Sequence, residues 1–75
     1  MERLNQLELA KMVTAGLVTS AIATKKDGFY RIVLETPKQA FILKSQRDDV
    51  RTFKTLAGVQ AMLESVAIKT FTVVG

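Results

Sequence analysis

The sequence predicts an α+β domain, a two-layer sandwich in which two helices cover an antiparallel meander of three or four strands plus a C-terminal strand. Two short stretches carry apolar residues at helical spacing, one near each end of the chain, and the segments between and after them alternate apolar and polar positions with β-branched residues enriched. Asp27-Gly28 and Thr36-Pro37-Lys38 add two tight turns between the alternating stretches. The expected order is α-β-β-β-(β)-α-β within one domain, residues 1–75, because a chain this short supports one hydrophobic core.

Over residues 3–15, Leu4, Leu7, Ala10 and Lys11 fall at helical spacing, and Leu9, Met12 and Val13 broaden the apolar side. Gly16 follows where a helix requires a left-handed C-cap. Such a wide apolar side needs a sheet to cover it or a second subunit. Residues 17–24 change period, with Leu17, Ala21 and Ala23 on one side and Val18, Ser20 and Ile22 on the other, which predicts a strand. Lys25-Lys26-Asp27-Gly28 then turns the chain, since Asp and Gly both tolerate positive φ.

Phe29 to Glu35 returns as a second strand, with Tyr30, Ile32 and Leu34 toward the core and Phe29, Arg31, Val33 and Glu35 on a mixed face. Pro37 sets the next turn, and Gln39 to Ser45 forms a third strand with Phe41 and Leu43 inward and Ala40, Ile42 and Lys44 outward. Gln46 to Asp49 interrupts, and Val50-Arg51-Thr52-Phe53 reads equally as a short fourth strand or an extended approach to the next helix. Leu56, Val59, Leu63 and Val66 predict a helix over 56–66 with Thr55 as N-cap, and Gly58 within it is read as a site of close packing. Ile68 to Val74 alternates as a final strand, which either inserts between the others or extends an edge.

The chain has no Cys and no His, which removes disulfides, cysteine-ligated metals, thiol nucleophiles and the usual neutral-pH acid and base. No phosphate loop or dinucleotide fingerprint occurs, and Asp48-Asp49, flanked by Arg47 and Arg51, reads as a solvated turn. No enzyme, cofactor or metal site is expected. Neither a long apolar run nor a basic-then-apolar start is present, so no membrane partner and a cytoplasmic location are expected.

The formal charge of +4 is concentrated in residues 25–54, where Lys25, Lys26, Arg31, Lys38, Lys44, Arg47, Arg51 and Lys54 oppose Asp27, Glu35, Asp48 and Asp49. Two uses follow. Phe29 would stack on a base and Arg31 and Lys44, if they share its face, would contact DNA phosphates, with Lys25 and Lys26 at the hairpin tip and Arg47, Arg51 and Lys54 beside the second helix as further phosphate contacts. Alternatively Phe29, Val33 and Ile42, opposite the core face, leave apolar surface that two helices on one side cannot cover, which a second copy in a homodimer or another protein would bury. The second use leads, giving an adaptor acting by protein association; a direct DNA-binding regulator and a small inhibitor of an enzyme are the alternatives.

Arg51-Thr52-Phe53-Lys54-Thr55-Leu56, with Val59, Met62-Leu63 and Ile68 to Val73, resembles the C-terminal signature of small partition-associated accessory proteins of plasmids and integrating conjugative elements. Met12 through Ile22 is similar to their helix-glycine-strand beginning, and Ala67 stands where their pattern has glycine. The resemblance implies a role in maintaining mobile DNA, directly or through a partner, and transfers no catalytic residue. It also favours Arg47, Arg51 and Lys54 as phosphate contacts.

Overall fold

The computed structural model describes residues 1–75. In chain order the elements are β1 (Glu2–Leu4), α1 (Gln6–Thr14), β2 (Ser20–Lys26), β3 (Phe29–Glu35), β4 (Ala40–Leu43), α2 (Leu56–Ser65) and β5 (Thr72–Val74). The five strands make one sheet in the order β1-β4-β3-β2-β5. The α+β sandwich is present, and β2, β3 and β4 form the expected antiparallel meander. The sheet as a whole is mixed, because β1 joins β4 in parallel and β5 joins β2 in parallel. The last strand therefore extends an edge.

Several of the predicted boundaries move. Residues 2–4 form a strand instead of the first helical turn, since Leu4 pairs with Leu43 and is 3% exposed. Asn5 then starts α1 with a reciprocal cap: its Oδ1 accepts from the Glu8 amide at 2.8 Å, and the Glu8 carboxylate accepts from the Asn5 amide at 2.9 Å. That box satisfies two of the helix's free donors and fixes its start two residues after the middle of β1. β2 begins at Ser20 instead of 17, and β5 begins at Thr72 instead of 68. Val50 to Phe53 is an extended approach that makes only single bridges, Lys44 to Val50 and Tyr30 to Phe53.

The turns follow from backbone chemistry. Asp27 and Gly28 both have positive φ, 54° and 82°, the pair of values that a two-residue hairpin needs to match the strand twist. At the end of α1, Gly16 (φ 73°) occupies the left-handed position, with the Leu17 amide donating to Met12 O and the Gly16 amide to Val13 O. α2 ends in the same pattern, with Ile68 donating to Leu63 O and Ala67 to Glu64 O, but here the left-handed residue is Ala67, at φ 66°. Gly58 departs from expectation. A Cβ there would sit 3.5 Å from Thr55 Oγ1 and 3.6 Å from a Phe53 ring carbon, ordinary contacts, so packing does not require glycine.

Both helices lie on one face of the sheet. Leu9 of α1 and Val59, Met62 and Leu63 of α2 join Leu4, Ala21, Ala23, Ile32, Leu34 and Leu43 in one core cluster, completed by Val66. The reason is chirality. β1, β2, β4 and β5 all run in the same direction, and the connections β1-α1-β2 and β4-α2-β5 both cross the sheet toward the β5 edge. Parallel crossovers are right-handed in nearly all folds, so two that travel the same way place their helices on the same side.

A candidate interaction face on the open side of the sheet

The opposite face of the sheet has no helix. Residues paired across neighbouring strands share a face, so the register identifies what that face presents. Its central row runs Arg3, Ile42, Val33, Ile22, Thr72 across all five strands. On one side of it lie Arg31, Thr24 and Val74, and on the other Glu35, Ser20 and Ala40. Ile22, Val33 and Ile42 are only half-buried and take no part in the core cluster. Three β-branched side chains thus form an apolar strip on a surface covered by nothing within the chain.

Charges border the strip. Arg3, Arg31 and Lys44 lie on this face, as does Lys26 next to Phe29 at the hairpin end, while Glu35 is the carboxylate on its strands and Asp48 of the loop after β4 reaches its corner. Phe29 is 38% exposed. The Arg31 guanidinium donates to the Lys26 carbonyl at 3.2 Å, and Ser20 Oγ donates to the Glu35 carboxylate at 2.5 Å. The loop after β4 fastens one corner: Lys44 Nζ meets Asp48 Oδ1 at 2.7 Å, and Arg3 donates to the Asp48 carbonyl at 2.6 Å. The hydrogen bond from Lys44 holds the Asp48 carboxyl below its ordinary value, and the same bond raises Lys44.

The residues singled out from sequence divide between two regions. Phe29, Arg31, Val33, Ile42 and Lys44 come together on the open face, with Lys26 at its margin. Lys25 lies on the other face, its Nζ 5.5 Å from the centre of the Tyr30 ring. Arg51 belongs to the helical side, where it donates to Gln6 Oε1 at 3.1 Å and lies 5.1 Å from the Phe53 ring centre. Arg47 is exposed in the loop after β4, and Lys54 is exposed before α2. The eight cations of residues 25–54 therefore do not form one continuous surface.

Arg3, Ile22 and Thr72 complete the central row and were not selected from sequence. Arg3 was hidden by reading residues 3–15 as helix, and Thr72 by the unknown position of the last strand. Ile22 carried a usable signal, since it alternates with the core residues Ala21 and Ala23.

Two concavities lie elsewhere. One, about 410 Å³, runs between the end of α1 and the segment before β5 and is lined by Val13, Val18, Ile68 and Phe71 among others. The other, about 580 Å³, is polar and includes Lys44, Ser45, Gln46 and Arg51 beside the start of α1. The α1 donors there are partly met by the Asn5–Glu8 cap. No helix is long and apolar enough to cross a membrane. Comparison with protein-family models, curated proteins and solved structures finds no match to this chain.

Proposed function

We propose that this chain is a non-enzymatic accessory protein that acts through protein association, with the open face of its sheet as the contact surface and a homodimer as its working form. The observation that carries this reading is the Ile22, Val33 and Ile42 strip, half-buried, outside the core and flanked by charge. Burying apolar surface of this kind contributes roughly 25 cal/mol per Å² before the costs of association are met. A cytoplasmic role in plasmid or mobile-element maintenance is the setting implied by the resemblance of Arg51 to Leu56 and Ile68 to Val73 to partition-associated proteins.

A second reading has its own support. Four cations against two carboxylates, Glu35 and the Asp48 paired with Lys44, with an exposed Phe29, would attract a phosphate backbone to the same face. Light-scattering mass, measured over a concentration series with and without single- and double-stranded DNA at several salt concentrations, separates the two. Association predicts a mass that rises toward twice the monomer's with concentration, needs no DNA and survives salt. A mass that stays monomeric without DNA, together with DNA complexes that dissolve as salt rises, would replace the first reading with the second.

A further inference from the structure

We infer that the occupant of the open face is a second copy of this chain, packed sheet to sheet about a two-fold axis over Val33 that runs across the strands, so that Arg31 of each copy meets Glu35 of the other. The inference rests on the self-association proposed above and adds its geometry.

β3 is the central strand of the sheet, and its open-face residues are Phe29, Arg31, Val33 and Glu35. Two sheets packed face to face with aligned strands, about 10 Å apart, have two simple choices of axis. An axis along the strands lays β3 over its copy in parallel, which puts Arg31 on Arg31 and Glu35 on Glu35 at the centre of the contact. An axis across the strands lays β3 over its copy in antiparallel fashion. Arg31 and Glu35 are each two residues from Val33, on opposite sides, so this second arrangement exchanges them. It forms two symmetric pairs of opposite charge around a central Val33 contact.

The remaining residues follow the same choice. Ile42 and Ile22 each meet their own counterpart, extending the apolar contact over three strands. The row containing Lys44, Arg31, Thr24 and Val74 lies over the row containing Ala40, Glu35 and Ser20, so that Lys44 meets Ala40 and Thr24 meets Ser20. Arg3 faces Arg3, but at the sheet edge, where water screens the repulsion and where its guanidinium is already held by the Asp48 carbonyl. Like charges on the central strand would have no such relief.

A polyanion fits less well. The centre of the face is aliphatic, its exposed aromatic lies at the hairpin end, and Glu35 repels phosphate, whereas a stacking platform needs aromatic groups where the bases pass. Five strands about 4.8 Å apart give a face of roughly 400 Å² a side, below the roughly 1,000 Å² in total that a stable interface clears, so a weak, concentration-dependent homodimer is expected.

The test uses analytical ultracentrifugation of the full chain, with circular dichroism confirming that each variant is folded. R31E alone and E35R alone should each weaken the homodimer at least about tenfold, because both copies then present like charges at two places. An equimolar mixture of the two should restore a dimer, now between unlike variants, and the double variant R31E/E35R should restore self-association. R31Q and E35Q provide milder versions if a reversal unfolds the chain. V33K tests the face independently of the axis. If V33K abolishes association but the mixture is no tighter than the single variants, the axis is wrong and the face reading stands. If V33K leaves the dimer intact, or the wild type remains monomeric to about 1 mM, both fail.

Discussion

At the scale of single residues, Ala67 carries a backbone cost that its neighbour at the other helix end avoids. Gly16 and Ala67 close α1 and α2 with the same two hydrogen bonds, at φ 73° and 66°. A left-handed conformation costs an alanine roughly 1–2 kcal/mol, mostly absent for glycine. Ala67→Gly should therefore stabilise the fold by about 1 kcal/mol in chemical denaturation, after allowing for glycine's greater freedom when unfolded. A loss of stability would mean that the methyl group makes a contact worth more than the strain. The sequence pointed to Gly16 because glycine is the residue this cap favours, and an alanine in the same role leaves no mark. It was visible only as a departure from the glycine in the resembling proteins' pattern.

The Lys44 to Asp48 bond has a pH dependence with a defined sign. Asp48 is held below its ordinary value of 3.8, so its contribution is present above that value and is lost as pH falls through the depressed one. Lys44 is raised above 10.5, so its share is present below that value and is lost as pH rises through the raised one. The clasp over the corner of the open face is thus closed across the whole neutral range. Nuclear magnetic resonance should find the Asp48 carboxyl titrating below 3.8, and Lys44→Met should return it toward that value. An Asp48 titration unchanged by Lys44→Met would show that the ion pair does not form in solution.

At the scale of elements, the most legible parts of the sequence were those whose information is local. Asp27-Gly28 fixes its hairpin by the φ values it tolerates, and Leu56, Val59 and Leu63 mark α2 by spacing. β1 was not legible, because three residues with Leu4 as their one buried side chain have no period of their own. Its identity comes from pairing with β4, some forty residues away in sequence. β5 is shortened for a related reason: Ile68 and Phe71 pack against the core in the connection, so an alternating pattern extends beyond the hydrogen-bonded strand. Gly58 misled in the other direction, as its site has room for a methyl group beside Thr55 and Phe53. Gly58→Ala should raise stability by about 0.5–1 kcal/mol through helix propensity, read as a higher melting temperature. A lower one would indicate that α2 is pressed more tightly to Phe53 than 3.6 Å implies.

At the scale of the whole molecule, handedness leads from topology to the site. Two crossovers in the same direction consign both helices to one face, and a two-layer domain with five strands then has a bare side. Sequence alternation anticipated that Val33 and Ile42 would face away from Ile32, Leu34 and Leu43, and the register places Ile22 beside them. What alternation could not supply was the strand order, and hence the unbroken row from Arg3 to Thr72 or the split of Arg51 and Lys54 from Arg31 and Lys44.

The most direct measurement is a dilution series followed by methyl resonances. With rising concentration, the methyl signals of Ile22, Val33 and Ile42 should shift together along one binding curve, while those of Ile32, Leu34 and Leu43, on the helix-covered face, stay fixed. Signals that do not move at any concentration, or that move only at Leu7, Leu17 and Val73 elsewhere on the surface, would contradict the assignment of the open sheet face as the contact surface.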